Sequence, residues 1–229
     1  MAARPDGWLA ERFGCPVFTV DGAASEEDVA GEGRRFYQAR VAVDDVEAVR
    51  RLAALGFAVV DTTLTLGRLP ELGWAGSEVV HAEPAQREAV VEIARSSFRW
   101  SRFHLDPEVP DELANRIKAD WIESYFAGTR GEHLLVALAD GEPAGFLAVI
   151  AGEEEGRTLR TIDLIAVAEH ARGRGLARAL TAAFVAESAA VCDEVRVGTQ
   201  AANVAATRLY ESLGFSLVRA QYALHLHAS

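Results

Sequence analysis

Downstream of Leu134 the apolar and polar positions of the chain separate into blocks of two different periods. "LLVALADGEPAGFLAVIAG" reads as two strands joined at Asp140-Gly141-Glu142-Pro143, a hairpin. After the polar "EEEGR", the β-rich run Thr158 to Val167 predicts another strand. A helix opens near Arg174, where Leu176, Leu180 and Phe184 recur four apart while Arg174, Arg178 and Glu187 can face elsewhere. "DEVRVGTQ" is the next strand. "NVAATRLYESLGF" is a helix with Asn203 as its N-cap and Gly214 as its stop. "FSLVRAQYALHL" closes the pattern as a strand, with His225 and His227 at its end. Upstream, Glu83 to Ser97 and Pro110 to Phe126 have helical periodicity, and Pro110, Asp111 and Glu112 suit a first turn.

One pattern occurs twice. "LAALGFAVVDTTLTL" (Leu52 to Leu66) resembles "YESLGFSLVRAQYAL" (Tyr210 to Leu224), sharing Leu55/Leu213, Gly56/Gly214, Phe57/Phe215, Val60/Val218 and Leu66/Leu224. Each copy reads as a helix stopped by glycine and followed by a strand. Such junctions are common, so chance similarity stays open beside a degenerate duplication. Aligned this way, Asp45 stands opposite Asn203 and Leu52 opposite Tyr210. "GRLPELGWAGSE", Gly67 to Glu78, is rich in turn residues and divides the chain into a small N-terminal β/α part, 1–77, and a larger part, 78–229.

Composition narrows the function. Half of the 229 residues are apolar and a quarter charged, with a formal net charge of −11. That balance argues against nucleic acid as the main partner, because phosphate neutralisation needs a broad basic face. The start, "MAARPDGWLA", has no signal-peptide pattern, and the longest apolar candidate for a membrane span is interrupted by Asp140, Glu142 and Pro143, so the expected compartment is the cytoplasm. Cys15 and Cys192 form no metal pattern and are expected as buried thiols, and the six histidines show no zinc spacing, so no metal is expected.

Against this acidic background, Arg172 to Arg178 ("RGRGLAR") packs three arginines and two glycines between a strand and a helix. The first amides of a helix lack intrahelical partners and carry the positive end of its dipole, and glycines let an anion approach the backbone. A Walker loop is excluded because no Gly-Lys-Ser/Thr follows, and a dinucleotide fingerprint is incomplete, with Arg178 where the third glycine belongs. Arg172-x-x-Gly175-x-Ala177 does match the Arg/Gln-x-x-Gly-x-Gly/Ala motif of the GNAT superfamily of N-acetyltransferases. The resemblance runs over roughly Glu83 to Leu226 and includes "LIAV" before the loop and Asn203-x-x-Ala206-x-x-Leu209-Tyr210 ahead of Leu213-Gly214-Phe215. It implies an α/β GNAT (acyl-CoA N-acyltransferase) fold, in which the small N-terminal β/α part is a degenerate half-copy if the repeated pattern is a duplication. The implied donor is acetyl-CoA. Its pyrophosphate would rest on Arg172, Gly173, Arg174, Gly175, Leu176 and Ala177, and its pantetheine arm along Leu164, Ile165, Ala166 and Val167. Asn203 would contact that arm. Tyr210 would protonate the departing thiolate, which a neutral phenol of pKa ~10 can do. Backbone N–H near Ile165 would polarise the thioester carbonyl.

For the acceptor, Ser101 to Gly128 and the opening "ERFGCPVFTV" resemble the TDP-fucosamine acetyltransferase group, which acetylates an amino group of a nucleotide-linked deoxyhexose. Arg102 is the leading cation for a sugar-nucleotide pyrophosphate, with an ordinary solvated arginine as the alternative. Trp121 and Tyr125, four apart on one helix face, could flank the sugar or serve the core. Asp61 is the candidate general base: alternating with Phe57 and Val59 on one strand face, it would be partly desolvated and more basic. Asp163, Glu83 and His104 are the other bases considered. The expected function is direct acetyl transfer, in a ternary complex, to a nucleotide-linked amino sugar. Acetylation of a protein N-terminus or another small amine, and a non-catalytic acyl-CoA sensor, remain as alternatives. A homodimer is compatible with all of them.

Overall fold

The computed structural model describes residues 3–73 and 78–229. In chain order it contains β1 (Arg4–Pro5), α1 (Gly7–Phe13), β2 (Val17–Val20), α2 (Glu26–Val29), β3 (Arg35–Ala42), α3 (Val46–Ala54) and β4 (Ala58–Arg68). There follow β5 (Val79–His81), α4 (Arg87–Ser97), α5 (Arg102–Leu105), α6 (Asp111–Phe126), β6 (His133–Ala139), β7 (Glu142–Glu154) and β8 (Arg157–Val167). α7 (Leu176–Ser188), β9 (Glu194–Gln200), α8 (Val204–Ser212) and β10 (Ser216–Ala228) complete the chain. The elements expected downstream of Leu134 are all present, with small shifts at their ends. The hairpin turn is only Asp140-Gly141, both at positive φ, so Glu142 and Pro143 already belong to β7. Gly175, in the left-handed region at φ 81°, caps α7, which leaves Arg174 in the loop instead of the helix.

All described strands share one sheet in the order β1-β2-β3-β10-β4-β9-β8-β7-β6-β5. Alternation along β6 and β7 feeds two apolar layers. Leu135 and Leu147 join α7 and Phe215 on one side, while Val136, Phe146 and Ala148 join α4 and α6 on the other. Burying a side chain of this size contributes roughly 1.5–3 kcal/mol, so this two-sided packing dominates the fold's stability.

The strand order interleaves the ends of the chain. β10 lies between β3 and β4, and β4 lies between β10 and β9, so strands from 1–77 sit inside the sheet of 78–229. The cut at 77 itself lies outside the described residues. Here the repeated pattern acquires a geometry. Thr63 pairs with Gln221, and around that pair the β4–β10 register is symmetric under the shift that takes Gly56 to Gly214. Asp61↔Ala223 is mirrored by Thr65↔Arg219, and Val59↔Leu224 by Leu66↔Leu217. The flanking pairs obey the same shift: Tyr222↔Val41 corresponds to Leu64↔Thr199, and His225↔Gln38 to Gly67↔Arg196. Even the irregularities agree, for the residues skipped in the ladder are Val60 on β4 and Val218 on β10. Both helices end on a glycine at positive φ, Gly56 at 94° and Gly214 at 80°. Equivalent neighbours crowd both: a Cβ at Gly56 would lie 3.3 Å from Leu226, and one at Gly214 3.4 Å from Arg68.

The bulge corrects one expectation. Simple alternation put Asp61 on a face with Phe57 and Val59. With Val60 inserted as an extra residue, Val59 is 49% exposed while Phe57 and Asp61 are buried. The side chain is desolvated by a different route from the one its sequence pattern suggests.

Candidate active site

β8 is paired with β7 along its whole length but with β9 only from Leu159 to Ile162. Past Ile162 the edge facing β9 is unpaired, and Asp163 is the residue skipped between the pairs Val149↔Ile162 and Ala148↔Leu164, a bulge that bends the strand away. The result is a slot whose wall, Leu164 to Val167, offers free backbone groups. At its end the chain turns through Gly173 (φ 79°) and Gly175 (φ 81°) into α7. A Cβ built on either glycine would meet nothing within 4 Å, so the turn opens onto free space.

A cavity of about 960 Å³ occupies the slot and continues beneath the α4–α5 connection. Leu164 to Val167, Arg172, Ala177, Asn203 and Tyr210 line one part of it; Asp61, Arg102 and Trp121 line another. The remaining loop residues are arranged differently from their expected side-chain role. Arg174 reaches Asp140 at 3.0 Å on the surface, and Leu176 packs in the core, so neither they nor Gly173 and Gly175 line the cavity with side chains. What this turn presents is backbone. Arg178, the third arginine of the cluster, donates to Ser212 Oγ at 2.6 Å and ties α7 to α8.

Asn203, Ala206 and Tyr210 recur at helical spacing and point one stripe of α8 into the cavity. Asn203 Oδ1 accepts from Ala206 N at 3.3 Å as an N-cap, leaving its NH2 group for another acceptor. Tyr210 is 3% exposed and packs 5.8 Å from Phe215, and its hydroxyl has no hydrogen-bond partner among the described residues. Burial pushes its phenol well above the ordinary range, so the hydroxyl stays protonated at any working pH.

Asp61 is 6% exposed, and burial raises its carboxyl pKa against the opposing pull of hydrogen bonds from Thr63 (3.0 Å) and Gln200 and of the Arg40 charge. Asp163, which also lines the cavity, is saturated. Arg130 grips both its oxygens at 2.8 and 3.0 Å, and Trp121 Nε1 (2.9 Å) and Tyr125 OH (2.8 Å) donate to Oδ2. These contacts revise the aromatic pair. Tyr125 is buried behind Asp163 and does not reach the cavity, while Trp121 does, with its indole held and Arg130 stacked 4.4 Å from its ring. Glu83 is exposed and His104 engages Ser101 and Asn115 through both ring nitrogens; neither lines the cavity.

Arg102 is no solvated loop arginine. It opens the short α5, donates to Gln38 Oε1 at 2.7 Å, and burial lowers its pKa to about 9. The sequence reading missed other cations of the cavity, Arg40 and Lys118 among them. Lys118 carried a legible signal, since it interrupts the apolar stripe Ala114, Ile117, Trp121, Ile122 and Tyr125 of α6. Spacing also concealed two side-chain clusters, Asp106 with His225 and His227, and Glu187 with His81 and His133. In the first, Asp106 Oδ2 meets His225 Nδ1 at 2.7 Å and His227 Nε2 at 2.9 Å, which anchors the end of α5 to β10. Cys15 and Cys192 are half-buried free thiols, and no described helix is long and apolar enough to cross a membrane.

Comparison with known proteins agrees with this geometry. The model of the acetyltransferase (GNAT) family matches residues 87–215. The chain is 34% identical over 145 residues to the spore coat polysaccharide biosynthesis protein SpsD of Bacillus subtilis, a match covering 63% of this chain but 48% of that protein. It is 31% identical over 215 residues to the mycothiol acetyltransferase of Tsukamurella paurometabola, covering 84% of this chain and 68% of that one. A GNAT-family acetyltransferase structure from Novosphingobium aromaticivorans superposes with a TM-score of 0.55 at 18% identity, over 87% of this chain and 77% of the other. An α/β sheet splayed beside a glycine turn, and a family match across more than half of the chain, lead to one statement: this chain belongs to the GNAT acetyltransferases, the family that uses acetyl-CoA.

Proposed function

We propose that the chain transfers an acetyl group from acetyl-CoA to the amino group of a nucleotide-linked amino-deoxy sugar, directly and within a ternary complex. The observation that carries this reading is the single cavity, which joins the unpaired edge of β8 to a chamber lined by Asp61, Arg102 and Trp121. Donor and acceptor can therefore occupy one space without a covalent enzyme intermediate. Acetyl-CoA fits the donor side. The glycine turn has room for a pyrophosphate at the free amides of α7, and Leu164 to Val167 offer backbone groups for an extended arm. Bound there, it supplies an activated acyl group. Ile165 N–H is the donor assigned to the carbonyl oxygen, Asn203 NH2 the contact for the arm, and Tyr210 the acid that protonates the leaving sulfur. Asp61, made more basic by burial, takes the proton from the acceptor ammonium.

The sugar assignment draws support from SpsD, a polysaccharide-biosynthesis protein by name, and from the cationic acceptor chamber. A second small-molecule reading, an acceptor of the mycothiol kind, is favoured by the longer match to mycothiol acetyltransferase. In either case residues 1–77 contribute β4 and the end of β3 to the acceptor chamber without a donor site of their own. Thiol release from acetyl-CoA, measured against TDP- and UDP-amino sugars, amino-sugar thiols, polyamines and peptides, tests the assignment. Turnover with the nucleotide sugars is expected. Turnover with peptides alone would overturn it.

A further inference from the structure

Cations in the cavity fall into two groups. Arg130 is clamped to Asp163, Arg196 to Glu154 and Glu194, Arg219 to Glu154, and Arg99 and Arg172 reach Glu169. Arg40, Arg102 and Lys118 form no salt bridge among the described residues, although the Asp61 charge favours the charged forms of Arg40 and Arg102. Among the described residues Arg40 makes no side-chain hydrogen bond. Arg102 meets only the neutral Gln38, and its Nε is buried with no partner. Lys118 is 7% exposed and its ammonium makes no hydrogen bond, lying 5.0 Å from the Phe98 ring and 4.9 Å from the Trp121 ring. Lys118 is buried and Arg102 half-buried, while Arg40 is exposed on the cavity wall; burying an unpaired ammonium is costly, and like charges beside it raise the cost. A structure retains such a group where a ligand completes it.

We propose that Arg40, Arg102 and Lys118 form an anion seat, so that the acceptor carries a phosphate or carboxylate group of its own beside its amine. This rests on the reading that the cavity takes the acceptor, and it names the residues that would hold that acceptor's charge, the diphosphate in the case of a nucleotide-linked sugar. The geometry favours an anion shared by several donors. Lys118 brings three ammonium donors, Arg40 a full fork and Arg102 the terminal nitrogen that Gln38 leaves free, all from residues lining one chamber.

Lys118 gives the seat a pH signature. Burial lowers its pKa to about 7, with Arg102, Arg40 and Arg130 pushing the same way and Asp163 opposing; His104 is the remaining titratable neighbour. An anion restores the charged form, so binding takes up a proton when the pH lies above that value. Affinity then falls as pH rises, by at most about tenfold per unit.

The test is calorimetry without acetyl-CoA, on the full chain carrying Gly175→Glu to close the donor turn to anions, with inorganic pyrophosphate and succinate as probes. Saturable binding of at least one is expected, weakened at least tenfold by Lys118→Met and by Arg40→Gln. Proton uptake at pH 7.5, read by comparing buffers of different ionisation heat, should vanish in Lys118→Arg while affinity persists. Tighter pyrophosphate points to a phosphate-bearing acceptor, tighter succinate to an acidic amine, and both support the seat. Unchanged affinity in Lys118→Met and Arg40→Gln, or no binding of either probe, would overturn it. Because acetyl transfer is not read, failure here leaves the acetyltransferase reading standing, and anion binding would survive the failure of that reading.

Discussion

The two helix–glycine–strand units, α3–β4 and α8–β10, share a scaffold down to their bulges and differ at a few side chains. Asp45 and Asn203 both cap, accepting from Ala48 N at 3.0 Å and Ala206 N at 3.3 Å. Phe57 and Phe215 are both buried, each in its own core. One turn earlier the units part: Leu52 seals an apolar cluster, whereas Tyr210 brings a hydroxyl to the cavity wall. Their surroundings part as well. After β2 the chain runs through Asp21-Gly22, where Arg51 Nη1 donates to the Gly22 carbonyl at 2.7 Å, and only the short α2 follows. After β8 comes the glycine turn and the full α7. Strand register is set by bulges and buried faces over many residues, so two units can share it; an active site needs a few groups, so a few side chains separate them. Interleaving joins the two units in one site. Asp61 belongs to the first unit yet reaches the cavity of the second, and its counterpart Arg219 pairs with Glu154.

The comparison breaks most visibly at Tyr210. Tyr210→Phe keeps the ring in its packing and removes the proton, so kcat should fall by about 10² to 10⁴ while acetyl-CoA affinity holds. Because burial holds the phenol protonated, the basic limb of the rate profile should keep its shape in this variant. Wild-type turnover in Tyr210→Phe would remove the residue from the mechanism. The reverse change should create no second active site: Leu52→Tyr added to Tyr210→Phe should restore no turnover.

Asp61→Asn sharpens the cross-contribution. Turnover at pH 7 should drop by about 10², the lower end for general-base loss. Stability should move the other way. With its folded pKa raised, Asp61 retains protons that the unfolded chain has lost, so its contribution to stability is lost as pH rises from about 4 through the folded value. The variant should therefore melt higher than the parent at pH 7, and the gap should close near pH 3. A variant both slower and less stable at pH 7 would contradict a desolvated base.

Smallest in energy is the pair of caps. Asp45→Ala and Asn203→Ala should each cost about 1 kcal/mol in denaturant unfolding. Only Asn203→Ala should also weaken acetyl-CoA binding, since only Asn203 lines the cavity. Equal effects on binding would erase the distinction between the units.

What was legible in the sequence was local and periodic: α8 with its cap and stop, the hairpin, the glycine turn, and the repeated junction. Family resemblance supplied the donor motifs. Side-chain partners across the sheet left no such trace. Tyr125 shares a helical face with Trp121, but Asp163, 38 residues away, holds its hydroxyl and keeps it from the cavity. Arg40 sits on a strand with ordinary alternation, and its importance arises only because β10 and β4 bring it beside Asp61. The bulge at Val60 shifts Asp61's face without altering any propensity the sequence displays.

Calorimetric titration of the native chain with acetyl-CoA tests the division between the units most directly. If acetyl-CoA rests on the glycine turn, which the first unit lacks, one molecule should bind per chain, and Gly175→Glu, which puts a side chain and a negative charge there, should abolish the signal while the far-ultraviolet spectrum is retained. Two molecules per chain, or unchanged binding in folded Gly175→Glu, would contradict the account.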